Sequence, residues 1–135
     1  MIETEITFEV PFHDVDAMRV VWHGNYARYF EIARCAMMQT VDYDIPQMEA
    51  SGYAWPVIEM NVRYAQPLTF KQRVRVHARL REWENRLKVA YTIFDAESGK
   101  RLTKGYTIQV AVDMSNGELQ LESPPVLFER LGLVP

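Results

Sequence analysis

The sequence predicts an α+β fold in which one long helix packs on one antiparallel sheet. Three observations lead there. Residues 2–12 alternate in polarity, residues 26–41 repeat apolar positions at helical spacing, and the remainder is dominated by strand patterns divided by turn signals. With 135 residues, 48% apolar and 12% aromatic, the chain is expected to form a single domain, 1–135, around one sizeable core.

The N-terminal stretch sets Ile2, Ile6, Phe8, Val10 and Phe12 on one side and Glu3, Glu5, Thr7 and Glu9 on the other, which describes a half-buried strand ending at His13-Asp14. An apolar turn, Val20-Val21-Trp22, leads to a helix-start signal at His23-Gly24-Asn25. Tyr26, Tyr29, Phe30, Ala33, Met37 and Val41 then form one stripe. Ile32, Cys35 and Met38 widen it, so this helix is expected to be covered on more than one side. Residues 42–52, with Pro46 and Gly52, read as a loop or a short turn of helix.

Four further strands are expected. Residues 54–65 are apolar and aromatic, with Trp55, Val57, Ile58, Met60, Val62 and Tyr64. Val74, Val76, Ala78 and Leu80 alternate with a basic stripe, Arg73, Arg75, Arg79 and Arg81, of the kind that usually faces solvent. Leu87, Val89, Tyr91 and Ile93 follow a polar tip at Glu84-Asn85-Arg86. Leu102, Tyr106, Ile108, Val110 and Val112 make the apolar stripe of the last long strand, after a Ser98-Gly99 turn. Asn116-Gly117 is a hairpin-type turn leading toward a short strand at residues 119–121. Ser123 is placed to cap a last helix over residues 124–131.

Composition excludes several classes. A net charge of −3 argues against a dedicated nucleic-acid binder. No run of 18 apolar residues predicts a membrane span, and the acidic, alternating start is unlike a signal peptide. A single cysteine rules out an internal disulfide framework and suggests a cytoplasmic setting. The sequence has no CxxC, HExxH or GxSxG motif and no Gly-rich phosphate loop. His13, His23 and Asp16 do not fall at a usual metal-ligand spacing, so no metal is expected.

The chemistry is concentrated between Phe12 and Arg34. Two acids one residue apart, Asp14 and Asp16, stand ahead of the helix start. Free N–H groups at a helix N-terminus can hold a developing negative charge. A carboxylate beside such donors is suited to hydrolysing an activated acyl group. Of the two acids, Asp14 is the weaker candidate, a turn residue in preference to a partner that supports the site, and Cys35, among Ile32, Ala33, Ala36 and Met38, reads as a small buried apolar side chain rather than a nucleophile.

The run Asp16, Ala17-Met18, Arg19, Val20-Val21, Trp22-His23, Gly24, Asn25, Tyr26 resembles the signature of 4-hydroxybenzoyl-CoA thioesterase-like hotdog proteins. That signature is an acid, two residues, a small residue, two β-branched residues, two more, then small-x-aromatic. Length and element order are also similar over nearly the whole chain. The resemblance implies a hotdog fold, a long helix wrapped by a five-stranded antiparallel sheet in the order first, third, fourth, fifth, second. It implies a homodimer joined through the second strands, or a homotetramer, acting on acyl-CoA or an acyl carrier protein thioester. CoA would be the leaving part of the substrate, and no retained cofactor is expected. Asp16 takes the place of the catalytic carboxylate and His23 that of the oxyanion N–H. Trp22, Asn25 and Tyr26 are expected near the acyl group, and Arg86 near a CoA phosphate. Two departures stand out. Arg19 occupies a position usually held by Gly or Ala, where a glycine allows positive φ, and Val15 replaces the usual Thr or Cys between the acids. A hydratase or dehydratase on the same fold and a non-catalytic acyl-thioester-binding module are the competing readings. Thiol release separates hydrolysis from both.

Overall fold

The structure is a computed structural model that describes residues 2–133. Its five long strands are β1 (Glu3–Glu9), β3 (Val57–Tyr64), β4 (Arg73–Glu82), β5 (Leu87–Asp95) and β6 (Arg101–Gln109). A two-residue ladder joins β2 (Tyr53–Ala54) to β7 (Val112–Asp113). The helices are α1 (Asn25–Gln39), α2 (Ile45–Ala50) and α3 (Pro125–Arg130). The long strands form one antiparallel sheet in the order β1-β4-β5-β6-β3, which among the five is first, third, fourth, fifth, second. With α1 laid across its inner face, this is the hotdog fold the resemblance implied.

Two periodicities meet in the core. In β4 and β5 the alternate residues Val74, Val76, Ala78, Leu80, Leu87, Val89, Tyr91 and Ile93 are all buried. Tyr26, Tyr29, Phe30, Ala33, Met37 and Met38 of α1 are buried against that layer. Phe30 stacks on Tyr91, with centroids 4.2 Å apart and planes at 3°. Each large side chain removed from water here contributes about 1.5–3 kcal/mol. Coverage of α1 is narrower than its sequence suggests, because Ile32 remains 49% exposed.

Several expected boundaries shift for local reasons. The first strand stops at Glu9, and Phe12 enters a single 3₁₀ turn, Phe12–Asp14, which swings its ring out against Phe70. The expected strand over residues 54–65 is split at Pro56, which has no N–H for a ladder. The short strand at residues 119–121 reduces to one bridge, Val112 to Leu119. Ser123 is buried with its Oγ unpaired and does not cap α3, whose N-cap is Pro124. The short helix α2 is entered through Asp44, whose N–H donates to Gln47 Oε1 at 3.0 Å.

The largest departure is in β6. Register against β5 pairs Thr103 with Ile93, Gly105 with Tyr91, Thr107 with Val89 and Gln109 with Leu87. The helix-facing set is therefore Thr103, Gly105, Thr107 and Gln109, while Tyr106 lines the outer face. Apolar alternation marks two faces of a strand but not which one meets the helix. Space decides it here. A Cβ on Gly105 would lie 2.5 Å from the Asn61 carbonyl oxygen and 2.8 Å from the Phe30 ring. Only a residue without a side chain fits where α1 crosses β6. Gly105→Ala is therefore expected to cost about 3 kcal/mol through overpacking against backbone, read as a lower urea midpoint with unchanged slope.

Candidate active site

The segment between β1 and α1 is a tightly bonded lasso. Val10 donates to the Gln72 carbonyl at 2.9 Å and accepts from the Lys71 N–H at 3.1 Å, which moors the segment to the start of β4. Val15 and Val21 pair antiparallel, and Val21 N–H donates to the Leu68 carbonyl at 2.8 Å. Between them the chain reverses over Asp16–Val20: Asp16 N–H donates to Val20 O, and Arg19 N–H to Asp16 O, both at 2.9 Å. Arg19 takes φ +64°, the left-handed conformation that a glycine would adopt without strain.

Asp16 is exposed at the tip of this turn. Its Oδ1 accepts the Met18 N–H at 2.8 Å, an Asx-type bond that orients the carboxylate, and Oδ2 has no partner among the described residues. Trp22 and His23 lead into α1. Trp22 N–H donates to Asp14 O at 2.9 Å, Asn25 N–H to Trp22 O at 2.9 Å, and Tyr26 N–H to His23 O at 3.3 Å. The N–H groups of His23 and Gly24 donate to nothing among the described residues. The Trp22 ring lies against Gly24, where an added Cβ would come within 2.1 Å of it, and it stays 52% exposed. The pairing of Val15 with Val21 fixes the backbone from the Asp16 turn to the helix start, with the carboxylate on the turn side of the pair and the free N–H groups on the helix side.

Asp14 holds this arrangement. The sequence suggested a turn residue, and it does close the 3₁₀ turn, but its side chain is 3% exposed. Oδ2 accepts the Tyr29 hydroxyl at 2.6 Å and Oδ1 accepts Arg28. Its carbonyl accepts both Trp22 N–H and Asn25 Nδ2, each at 2.9 Å. Burial alone would raise the Asp14 carboxyl, but the Tyr29 hydroxyl and the Arg28 guanidinium outweigh it and hold it below the usual range. Burial and the Asp14 charge push the Tyr29 phenol up in turn. No sequence spacing marked this group. Its partners are 14 and 15 residues away, on the first turns of α1.

The other site residues divide. Asn25 is an orienter rather than a cap, since its amide ties the first residue of α1 to the lasso. Tyr26 is 2% exposed and sits edge-on to Tyr64 of β3, with centroids 4.7 Å apart. Arg86 makes two 3.2 Å bonds to Glu82, at the end of β4 remote from the lasso. β4 runs from Arg73, beside the lasso, to Glu82, about 30 Å at strand rise, so Arg86 does not meet Asp16 within one chain. Burial raises the Cys35 thiol to about 11, which leaves it protonated and poorly nucleophilic at neutral pH.

Two concavities accompany these residues. The outer sheet face carries an open groove of about 750 Å³ edged by Arg63, Arg79, Arg81, Lys88 and Lys104. A cavity of about 270 Å³ lies beside α1, between Cys35, Met38, Met48, Trp55, Val57 and Gln109. Neither is lined by Asp16.

Comparison with known proteins follows the fold. Residues 10–131 match the model of the thioesterase-like superfamily. A protein of Synechocystis sp., provisionally named an esterase, is 29% identical over 128 residues, covering 94% of this chain and 77% of its own length. A DHNA-CoA thioesterase from Staphylococcus aureus superposes with a TM-score of 0.86 at 26% identity, over 98% of this chain and 90% of that one. A 1,4-dihydroxy-2-naphthoyl-CoA thioesterase from Synechocystis gives a TM-score of 0.84, over 96% of each chain. Its 17% identity speaks for the fold alone.

The buried carboxylate yields a prediction. Its folded pKa lies below the unfolded value near 3.8. Its contribution to stability is therefore complete above that value and is lost as pH falls through the folded pKa. Asp14→Asn should cost about 1.5–3 kcal/mol at pH 7, the worth of hydrogen bonds to a charged group. It should also flatten the acid side of the stability profile, measured by urea unfolding between pH 6 and pH 2.

Proposed function

This chain belongs to the thioesterase-like superfamily, and we propose that it hydrolyses an acyl-CoA to free acid and thiol at the Asp16 turn. The observation that carries this reading is an exposed carboxylate with one oxygen free, on the turn that leads into a helix start whose N–H groups bond to nothing among the described residues. In the reaction the thioester carbonyl lies over the start of α1. His23 N–H donates to its oxygen, where negative charge grows in the transition state. Asp16 either removes a proton from an attacking water or attacks the carbonyl to give a mixed anhydride, which water then opens. The C–S bond breaks and CoA leaves as a thiolate, whose low basicity dispenses with a general acid. Trp22 offers its exposed ring to the acyl group or the pantetheine arm. Tyr26 supports the pocket from beneath.

Asp16→Asn removes the charge with little change in shape. It should lower kcat by at least about 100-fold with the circular dichroism spectrum and substrate affinity retained. DTNB detection of thiol release over an acyl-CoA panel measures this. Near-native turnover in folded Asp16→Asn protein would exclude Asp16.

We propose further that the working unit is a dimer joined along β3. This strand is the free edge of the sheet, and Val57, Ile58, Met60 and Tyr64 are each more than two-fifths exposed. An apolar edge of this length invites pairing. Two-fold antiparallel pairing of β3 with its copy would satisfy the backbone and cover those side chains. It would also turn the partner's Arg86 end toward the lasso end of this chain, the arrangement in which Arg86 could reach a CoA phosphate. Ile58→Lys is expected to shift light scattering toward the monomer and lower activity in parallel. A fully active monomer at assay concentration would rule out a shared site.

A further inference from the structure

The outer face of the sheet, turned away from α1, carries a charge pattern that folding alone does not account for. Register sets Arg63 of β3 directly opposite Lys104 of β6, and the same row runs on through Thr92 of β5 to His77 of β4. Like charges directly opposite on one face destabilise a sheet. Arg63, Lys104 and Arg81 form no ion pair among the described residues. Arg79 and Arg81 stand on the far side of β5, and the groove of about 750 Å³ lies between the two basic flanks. Its floor is Ala90 and Thr92, small residues of the central strand. Among the described residues Glu82 alone brings a carboxylate to the lining, and Arg86 bonds it twice while Lys88 reaches it at 3.7 Å. The acids at the rim are also engaged: Glu3 faces His77 and Arg79, and Glu59 accepts the Tyr106 hydroxyl at 2.6 Å. A strongly basic groove thus stands on a chain of net charge −3.

Shape narrows the ligand. At the usual strand spacing, β4 with its Arg79 lies about 10 Å from β6 with Lys104 and about 14 Å from β3 with Arg63. An α-helix with its side chains is about 10–12 Å across. Laid on Ala90 and Thr92, it would bring one flank against each basic row. Bases of a nucleic acid would find no open ring to stack on, because Lys88 lies over Tyr106 at 4.7 Å. No large aliphatic side chain lines the groove to enter a bilayer. We propose that this groove docks an acidic helix of a partner protein, its carboxylates held by Arg63 and Lys104 on one flank and by Arg79 and Arg81 on the other. Carboxylates placed there would relieve the opposition of Arg63 and Lys104 with charge-assisted bonds. The groove is on the face opposite α1, so pairing along the β3 edge leaves it open. Docking tethers the protein and takes no part in hydrolysis, and the proposal does not depend on the thioesterase reading.

The test uses a fluorescein-labelled Ala/Glu peptide of about 20 residues, about 30 Å of helix, with glutamates along both flanks of one face, and its Gln-for-Glu counterpart. Anisotropy should show the Glu peptide binding wild-type protein, more weakly as salt is added, and the Gln peptide binding at least about tenfold more weakly. Arg63→Glu combined with Lys104→Glu should weaken the Glu peptide by at least about tenfold. In Lys104→Gln the affinity should fall while the urea midpoint rises, because one of two opposed charges is gone. A lysine with a structural role would lower the midpoint, and that result overturns the proposal. So does a wild-type protein that does not bind the Glu peptide, equal binding of the Gln peptide, or unchanged affinity in the folded double variant. CoA, a DNA duplex and phosphatidylglycerol vesicles, each matched in charge concentration, should bind at least about tenfold more weakly than the peptide. Any of them binding as tightly, and lost in the same variant, overturns an acidic helix as the occupant. If the double variant does not fold, Lys104→Gln decides alone.

Discussion

Everything at the candidate site hangs on the Asp14 carboxylate. A lasso between a strand and a helix has few contacts of its own, and an exposed reacting group needs a fixed backbone beneath it. Asp14 supplies this by sending its side chain into α1, to Tyr29 and Arg28, while its carbonyl collects the N–H of Trp22 and the amide of Asn25. One residue thus ties together the strand exit, the return of the lasso and the helix entrance. The charge is kept in a buried place because a hydroxyl and a guanidinium meet it there. The division of labour between the two acids is physical: the buried one is fully engaged, and the exposed one keeps an oxygen free.

Around that anchor the backbone carries strain. Arg19 and Lys71 both adopt positive φ, at +64° and +69°, and neither is glycine. Such conformations cost of order 1–3 kcal/mol and persist where neighbouring structure over-determines them. Here the two segments brace each other, since Val20 bridges to Thr69 and Lys71 bonds to Val10. The Asp16 turn is thereby held from both ends, and Arg19 is tolerated at a conformation where only glycine would be unstrained.

How legible this was depended on what each residue answers to. The alternation of β1, β4 and β5 and the stripe on α1 are local periodicities, and they read directly as two packed layers. The Asp16-to-Tyr26 pattern is contiguous and could be matched as a motif. What escaped was set by contacts distant in sequence. The inner face of β6 is Thr103, Gly105, Thr107 and Gln109 because Asn61 and Phe30 leave no room for a side chain at Gly105, and some of its polar atoms find partners on neighbouring segments: Thr107 bonds Tyr91 at 2.7 Å and Gln109 Nε2 donates to the Trp55 carbonyl. No window along the strand contains that information. Asp14 failed to stand out for the same reason, and Pro56 showed its effect only once the ladder it interrupts was known.

The same reasoning bears on the proposed pairing along β3. The sheet buries α1 against β4 and β5 but leaves Met60 and Tyr64, on the helix-facing side of β3, more than two-fifths exposed. The cavity opens on this side, walled by Val57 and Trp55, and the lasso lies at the opposite end of β3, beside Tyr64 through Tyr26. Two-fold antiparallel pairing of a second copy along β3, as proposed, would set the Tyr64 end of each strand beside the Val57 end of the other. On the proposed pairing, the apolar edge that would be a hazard in a monomer is covered by its own copy.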